Sequence, residues 1–306
     1  MKHLLGLYHL SKEEILEIFK IAEKLKYETK NGIKHHILKG KTLAMVFAKS
    51  STRTRVSFET GMYQLGGHPL FLSSNDIQLG RGESIEDTSK VLSRYVDGIM
   101  IRTLKQSDVE DLAAFGSIPV INALTDLLHP CQVLADIFTI YEEFGTLKGK
   151  KLAYVGDGNN MANSLLYGCS KVGIDVSIAT PKGYEPDADV IAKSLEFAKE
   201  SGCTVNIGYS PSEAVKDASA VYTDTWVSMG MEEDKERRIN DFKGFIVDEQ
   251  LMQNAADEAI FLHCLPGYRG FEVSAEVMDG PASRIFDEAE NRLHVQKAVM
   301  VKLMGE

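Results

Sequence analysis

One short polar segment carries the residue types that bind a small anion. Residues 49–55 read K-S-S-T-R-T-R, so two arginines and four hydroxyl groups fall close together. They lie between an apolar run and a predicted helix, where free backbone N–H groups and the helix dipole favour an anion. Arginine can hold phosphate oxygens through paired hydrogen bonds. The segment therefore predicts a site for a small phosphate, although a capped helix with solvated arginines would read the same.

A second candidate segment, residues 129–132, reads H-P-C-Q and directly precedes a predicted helix. A neutral histidine at a helix entrance can donate a hydrogen bond to a carbonyl oxygen and polarise it. A lone histidine there is also a common structural cap, so this segment indicates chemistry only in combination with the others.

Gly156-Asp157-Gly158 follows an apolar run and opens a predicted helix, as in a dinucleotide-binding loop. Met161 replaces the third glycine of that motif, and no acidic residue ends the next predicted strand, so a nicotinamide cofactor is disfavoured. Polar side chains at the helix start, Asn159 and Asn160, could instead hold a carboxylate or cap the helix.

Two more segments follow apolar runs in the second half of the chain. Residues 224–230 read D-T-W-V-S-M-G and lead into a densely charged stretch, which we interpret as a loop. Residues 263–267 read H-C-L-P-G, so Cys264 would lie at the carboxyl end of a strand, where ligands of open α/β sheets bind. A cysteine there can act as an acid, a base or a hydrogen-bond partner, although buried free cysteines are usually packing residues. Arg292, on the last predicted helix, is a further candidate.

The elements that must position these residues alternate along the chain. Ser11 and Glu14 form a capping box for a helix of about sixteen residues. Apolar runs predict strands at 42–48, 69–72, 98–101, 119–122, 150–156, 175–179, 220–223, 244–247 and 259–263, with helices that include 53–65, 132–144 and 287–304. This alternation predicts an α/β fold of two doubly wound domains with mostly parallel sheets, linked by interdomain helices.

The length and composition agree with two ordinary globular domains. The chain has 306 residues, of which 44% are hydrophobic and 25% charged. Gly145 ends one predicted helix and a new strand series follows, so we expect domains at residues 1–145 and 146–286. The last helix, 287–306, is expected to pack back onto the first domain.

The charge and cysteine content exclude several classes of protein. A net charge of −10 disfavours a protein that coats nucleic acid or an anionic membrane. No apolar run reaches the roughly eighteen residues of a membrane span, and residues 1–12 lack the apolar core of a secretory signal. Four cysteines without C-x-x-C spacing indicate neither a disulfide framework nor a zinc site. We therefore expect a soluble cytoplasmic protein.

Taken together, these segments are similar, over nearly the whole chain, to the aspartate/ornithine carbamoyltransferase family. S-T-R-T-R at 51–55 and H-P-C-Q at 129–132 resemble that family's carbamoyl phosphate motifs, in order and on either side of Arg102. D-x-x-x-S-M-G at 224–230 and H-C-L-P at 263–266 resemble its ornithine branch, because the aspartate branch lacks both the Ser-Met-Gly loop and the cysteine.

The resemblance implies transfer of the carbamoyl group of carbamoyl phosphate to the side-chain amine of L-ornithine, giving L-citrulline and phosphate without metal or organic cofactor. It also implies a homotrimer or a multiple of trimers. By the same resemblance, carbamoyl phosphate is bound by Ser51, Thr52, Arg53, Thr54, Gln78 from a neighbouring subunit, Arg102, His129, Gln132 and Arg292. Ornithine is bound by Asn160, Asp224, Ser228, Met229, Cys264 and Leu265, and the catalytic residues are Arg102, His129, Cys264 and Arg292.

Other functions stay open from the sequence. Gly156-x-Gly158 leaves a doubly wound dehydrogenase as one alternative, and a non-enzymatic ligand-binding relative is another. Within the family, putrescine or an N-acylated ornithine could be the acceptor, although Asp224 and Ser228 suit a free α-amino group. The same residues serve both directions of the reaction, so its direction in arginine metabolism is not fixed.

Overall fold

The fold is described from a computed structural model, which gives residues 1–74, 77, 82–227 and 232–305. The chain divides into two compact units, Met1–Ala135 with Glu290–Glu306 and Asp136–Ala289. Within the described residues, each unit contains one sheet, and the strand pairs are all parallel. The α/β class and the mostly parallel sheets predicted from the sequence are confirmed. Among the described residues, no helix has both the length and the apolar character needed to cross a bilayer.

The first unit is built on a four-stranded sheet in the order β2-β1-β3-β4. Its strands are β1 (Thr42–Phe47), β2 (His68–Ser73), β3 (Gly98–Arg102) and β4 (Val120–Leu124). A 3-10 helix covers Leu7–His9, and the helices of this unit are α1 (Lys12–Lys30), α2 (Thr52–Gln64), α3 (Ile85–Tyr95) and α4 (Gln106–Phe115). The next helix, α5 (Pro130–Phe144), starts in this unit and continues into the second one from Asp136 onward. Because the strands are parallel, the loops that leave their carboxyl ends lie along one edge.

The first helix shows how sequence signals set local structure. Ser11 Oγ accepts the backbone N–H of Glu14, and the Glu14 carboxylate accepts the backbone N–H of Ser11, which is the predicted capping box. Its apolar residues repeat at helical spacing and are buried: Ile15, Ile18, Phe19, Ala22 and Leu25. The helix continues to Lys30, a few residues beyond the expected length.

The second unit is built on a five-stranded sheet in the order β7-β6-β5-β8-β9. Its strands are β5 (Lys151–Val155), β6 (Asp175–Ala179), β7 (Val205–Gly208), β8 (Ala220–Thr223) and β9 (Ile260–His263). Its helices are α6 (Asn160–Val172), α7 (Ala188–Ser201), α8 (Pro211–Val215), α9 (Lys235–Asp241), α10 (Glu249–Met252) and α11 (Ala275–Met278), with a 3-10 helix at Glu232–Asp234. The last helix, α12 (Ile285–Met304), starts in this unit and contributes its residues from Glu290 onward to the first unit.

One strand prediction is wrong, and one strand lacks a prediction. Residues 244–247 do not form a strand, because Gly244 takes a left-handed φ of 88° and Val247 makes only an isolated bridge to Val273. Their apolar side chains are buried in a core cluster beside the sheet instead. Conversely, β7 was not predicted, because this short edge strand contains Asn206 and ends in Gly208 and so lacks a continuous apolar run.

Candidate active-site residues

The loop that carries the predicted anion-binding segment leaves β1 beside Arg102. Phe47 and Arg102 are paired in the β1–β3 register, and the Ala48 N–H donates to the Arg102 carbonyl at 2.8 Å. The Arg102 side chain is 6% exposed. The carboxyl ends of these central strands therefore bring the 49–55 loop and Arg102 together.

The amino terminus of α2 is organised by two hydroxyl side chains. Ser51 is the N-cap residue, and its Oγ accepts the Thr54 backbone N–H at 3.3 Å. Thr54 is fully buried, and its Oγ1 accepts a hydrogen bond from Nη2 of Arg292 at 3.0 Å. Arg292, on α12, is 4% exposed. A buried guanidinium thus lies at a helix start, where the helix dipole also favours an anion.

His129 lies in the electric field of three arginines. Burial lowers its pKa well below the usual value, and the charges of Arg292, Arg102 and Arg53 lower the pKa further. The imidazole is therefore neutral and can donate a hydrogen bond to a carbonyl oxygen without itself carrying charge. Gln132, on the first turn of α5, is also buried. The first unit therefore contains both the arginine charges that a dianion needs and a neutral histidine that can donate a hydrogen bond to a carbonyl oxygen.

Not every residue of the two motifs takes part. Arg55, one of the two arginines expected to converge on the anion, is exposed, donates to Glu59 at 3.0 Å and lies over the Phe71 ring. Arg53 and Arg55 are two positions apart on α2, so at about 3.6 residues per turn they lie on nearly opposite faces of the helix, which explains the difference. Cys131 is buried and donates to the Asn122 carbonyl at 3.3 Å, as a packing residue does. Gln78 lies outside the described residues.

In the second unit, two of the predicted ligands, Asn160 and Asp224, follow β5 and β8, the adjacent strands between which the strand order reverses. The sheet continues from β5 to β6 on one side and to β8 on the other. Asn159 caps α6 by accepting the Met161 N–H at 2.8 Å, and its amide donates to Asp224 at 2.8 Å. Asp224 follows β8 and is 7% exposed. Asn160 is the first residue of α6 and lies beside this contact.

Cys264 follows β9 and forms a hydrogen bond with the same carboxylate. Its thiol donates to Asp224 Oδ1 at 3.1 Å. Burial, with the charges of Asp224 and Glu288, raises the pKa of Cys264 well above the usual value. The residue is therefore a thiol and a hydrogen-bond donor. A carboxylate and a sulfur therefore lie together where an amine could bind. Leu265, the third residue predicted to bind at this point, directly follows Cys264 in the sequence.

Asp224, His263 and Cys264 place three possible metal ligands within 4.8 Å of one another. The imidazole of His263 is already engaged at both nitrogens: Nε2 contacts Glu272 at 3.2 Å, and Nδ1 accepts the Leu265 N–H at 2.9 Å. Metal ligands must also be deprotonated, whereas the environment of Cys264 favours the thiol. These residues fit a hydrogen-bonded group better than a metal site.

The glycines of the apparent dinucleotide loop have another role. A Cβ on Gly158 would lie 2.3 Å from backbone atoms of both Glu185 and Pro186. The Gly158 N–H donates to the Tyr184 carbonyl at 2.8 Å. The close backbone approach that this glycine allows is therefore made by the chain's own 184–186 loop, where a dinucleotide fold would place pyrophosphate.

Sequence reasoning missed several buried partners in this unit. Arg238 donates to the Asp157 carboxylate and to the Trp226 carbonyl, and it is 5% exposed. The loop predicted for the charged stretch that ends at Arg238 is wrong from residue 235 onward, because Lys235–Asp241 forms α9 and the Arg238 side chain on it is held by these buried partners. Glu288 contacts β8 and β9. No local signal marks these residues, because their partners are distant in the sequence. Ser228 and Met229, expected to bind ornithine, lie outside the described residues.

Comparison with known proteins gives the same pattern over the whole chain. Residues 2–142 match the family model of the aspartate/ornithine carbamoyltransferase carbamoyl-P binding domain, and residues 148–303 match that of the Asp/Orn binding domain. The ornithine carbamoyltransferase of Caldicellulosiruptor saccharolyticus is 59% identical over 301 residues, which are 98% of each chain. The Thermococcus kodakarensis enzyme of the same name is 53% identical, over 99% of this chain and 96% of its own.

Solved structures agree. Ornithine carbamoyltransferase from Pyrococcus furiosus superposes with a TM-score of 0.97 at 52% identity, covering 99% of this chain and 97% of that chain. The anabolic ornithine carbamoyltransferase of Campylobacter jejuni gives a TM-score of 0.93 at 46% identity, covering 99% of both chains. With both family models matched along nearly its full length, the chain belongs to the aspartate/ornithine carbamoyltransferase family.

Proposed function

We infer that this chain is an enzyme that transfers the carbamoyl group of carbamoyl phosphate to the side-chain amine of L-ornithine, giving L-citrulline and phosphate. The observation that carries the proposal is the neutral His129 in the field of Arg53, Arg102 and Arg292. The three arginines carry the positive charge that a phosphate dianion needs, and the neutral His129 can donate a hydrogen bond to a carbonyl oxygen. These two features match the phosphate and the carbamoyl group of carbamoyl phosphate. The full-length relatives named ornithine carbamoyltransferase support the choice of acceptor.

In the first unit, the α2 amino terminus and Arg102 neutralise the phosphate. The residues assigned to it are Ser51, Thr52, Arg53, Thr54 and Arg102, with Gln78 supplied by a neighbouring subunit. His129, Gln132 and Arg292 fix and polarise the carbamoyl group. The hydrogen bond from Arg292 to Thr54 supports this grouping, because it ties a carbamoyl-binding side chain to the phosphate-binding helix.

In the second unit, the residues around Asp224 hold the amino acid. We assign the α-amino and α-carboxylate groups to Asn160, Asp224, Ser228 and Met229, and the side-chain amine to Cys264 and Leu265. The bond between the Cys264 thiol and Asp224 supports this assignment, because it places a sulfur and a carboxylate together at the carboxyl ends of β8 and β9.

The amine must lose a proton before it can attack. A lysine-like pKa of about 10.4 leaves roughly one molecule in a thousand neutral near pH 7. Desolvation and the charges of the arginines lower the pKa of the amine, and Cys264 orients its lone pair. The nitrogen then forms a bond to the carbonyl carbon, the bond from that carbon to the phosphate oxygen breaks, and the departing phosphate accepts the amine proton. His129, Arg102 and Thr54 stabilise the charge that develops on the carbonyl oxygen.

We further propose a homotrimer, or a multiple of trimers, that acts in the cytoplasm in arginine metabolism. The first unit's sheet ends in β2, whose Leu70 and Phe71 are each 37% exposed. Val56 and Tyr63 on the neighbouring α2 are more than half exposed, at 53% and 79%. An apolar edge strand of this kind is usually covered in the assembled protein, and a second copy of the chain would cover it.

The proposed domains are residues 1–145 with 287–306, and residues 146–286.

The test is to measure citrulline and phosphate together. The enzyme is expected to release the two in equal amounts, and only when both substrates are present. Cys264→Ala should strongly depress turnover and raise the KM for ornithine while leaving carbamoyl phosphate binding intact. Cys203→Ala is the matched control, because Cys203 contacts Ser201 and the Ser170 carbonyl rather than Asp224. Phosphate release without citrulline would contradict the proposed transfer.

A further inference from the structure

A buried carboxylate connects β8 and β9, the two strands that Asp224 and Cys264 follow. Glu288, at the start of α12, is 1% exposed. Its Oε2 accepts the His263 backbone N–H at 2.9 Å, and its Oε1 accepts the Tyr222 hydroxyl at 3.1 Å. Tyr222, on β8, lies two residues before Asp224, and His263, the last residue of β9, directly precedes Cys264. One side chain thus fixes the spacing of both strand ends.

A second buried acid completes this group. Asp136, on α5, is fully buried and forms a hydrogen bond with the Glu288 carboxyl. Two carboxylates cannot hydrogen-bond each other and repel strongly when buried, so the pair must hold at least one proton. Burial raises the pKa of Glu288, while the hydrogen bonds from Asp136, the His263 N–H and Tyr222 oppose the rise.

The hydrogen-bond pattern indicates which acid holds the proton. Both oxygens of Glu288 accept from donors, and the backbone N–H of His263 cannot act as an acceptor. A carboxylate that accepts several hydrogen bonds is favoured in its charged form. Asp136 must then be the donor toward Glu288.

We propose that Asp136 and Glu288 are positioning residues that act as a one-proton pair, with the proton on Asp136 and the charge on Glu288, to hold the Cys264 thiol against Asp224. The pair works in two ways. It aligns the ends of β8 and β9 through Tyr222 and His263. Its charge, together with Asp224 and burial, keeps Cys264 protonated so that the thiol can donate to Asp224.

Two substitutions that each replace one carboxyl of the pair by an amide have different expected results. Asp136→Asn keeps a donor toward Glu288, because an amide N–H replaces the acid proton. Glu288→Gln replaces an accepting oxygen by an NH₂ group, which then faces one of three donors. The kcat/KM for ornithine is therefore expected to fall by about tenfold or more in Glu288→Gln, as for loss of a buried charged acceptor. Asp136→Asn should stay near wild type, and the KM for carbamoyl phosphate should change in neither variant.

The Cys264 thiol provides a readout that a merely structural role would not move. Alkylation of Cys264 by iodoacetamide, followed by mass spectrometry across a pH series, gives the pKa of this thiol. The pKa is expected to fall in Glu288→Gln, because a facing charge is lost, and to remain unchanged in Asp136→Asn. The other groups that act on the thiol among the described residues, Asp224, His263 and the buried hydroxyls of Tyr154 and Tyr222, are the same in both variants.

An infrared difference spectrum of the folded wild type against Asp136→Asn locates the proton even if Glu288→Gln fails to fold. The protonated carboxyl band should be lost in Asp136→Asn, with the carboxylate bands unchanged. Three results would overturn the proposal. The first is loss of a carboxylate band, rather than the protonated carboxyl band, in Asp136→Asn. The others are a kcat/KM for ornithine that falls in Asp136→Asn but not in Glu288→Gln, and a kcat/KM that falls equally in both variants. Its kinetic arm rests on the proposed function, whereas the thiol and infrared arms do not. A wild type without citrulline formation would refute only the function.

Discussion

Replacing Lys297 by methionine should change how the stability of the protein depends on pH. Lys297 lies on α12 and is fully buried. Its ammonium donates to the hydroxyl of Thr29 and to the side-chain oxygen of Gln64, each at 2.8 Å, so both direct partners are neutral. Burial lowers its pKa from 10.5 to about 8, while the charge of Glu28 acts in the opposite direction. A buried cation without a directly bonded carboxylate destabilises the folded state.

The sign follows from proton linkage. Below pH 8, Lys297 is charged in both the folded and unfolded chain, so the full cost of its burial is present. Between about pH 8 and 10.5, the folded chain releases this proton while the unfolded chain keeps it, so stability rises with pH. A fall in pKa from 10.5 to about 8 corresponds to roughly 3 kcal/mol over this range. The methionine variant lacks this gain.

Urea unfolding of the wild type and Lys297→Met from pH 7 to pH 10 measures the effect. Lost hydrogen bonds to Thr29 and Gln64 shift the variant by a constant amount of about 1 kcal/mol each, so the difference between the two curves carries the information. Wild type should gain roughly 2 to 3 kcal/mol relative to the variant by pH 10. Exposed Lys20→Met is the control and should give a flat difference. A flat difference for Lys297→Met as well would refute the reasoning.

Three further predictions test other parts of the structure. Thr54→Val removes the acceptor for the buried Arg292 at 3.0 Å and should weaken carbamoyl phosphate binding by about 30-fold, measured by calorimetry; unchanged affinity would contradict the role of this contact. Trp226 is the single tryptophan, and its carbonyl accepts a hydrogen bond from Arg238, which also pairs with Asp157. Burial raises the pKa of Asp157 to about 6. The fluorescence of Trp226 should therefore change with a midpoint near pH 6 in the wild type and show no such change in Asp157→Asn, measured by a fluorescence titration. Gly158→Ala would put a Cβ 2.3 Å from the Pro186 nitrogen and should lower the free energy of unfolding by about 1–3 kcal/mol, whereas Gly208→Ala, with nothing within 4 Å, should not.

The parts of the fold that the sequence predicts are those with local causes. The Ser11–Glu14 capping box and the strand at 175–179 depend on residues near in sequence, and both are confirmed. The 244–247 strand is wrong because an apolar run with Gly244 at its start can enter a core without joining the sheet. Its burial was predictable, whereas its backbone conformation depended on the packing around it.

The candidate site residues also fall into two groups, those that the sequence predicts and those that it does not. Motif residues such as Thr54 and Cys264 are recognisable from order and spacing, and the structure places them at a helix start and after a strand. Their buried partners are not recognisable. Asp157 and Arg238 are 81 positions apart, and Glu288 lies 25 positions from His263, so no local pattern links either pair. Only the fold brings these charges together.

The central claim is tested most directly by comparing four acceptors in the reaction with carbamoyl phosphate: L-ornithine, putrescine, aspartate and N-acetylornithine. The measurement is the rate at which each acceptor is converted to its carbamoylated product, which for L-ornithine is citrulline. A site with Asp224 and Cys264 at the carboxyl ends of adjacent strands should favour the acceptor that has both a free α-amino acid group and a side-chain amine. The expected result is the highest kcat/KM for L-ornithine. A higher value for any of the other three acceptors would contradict the account.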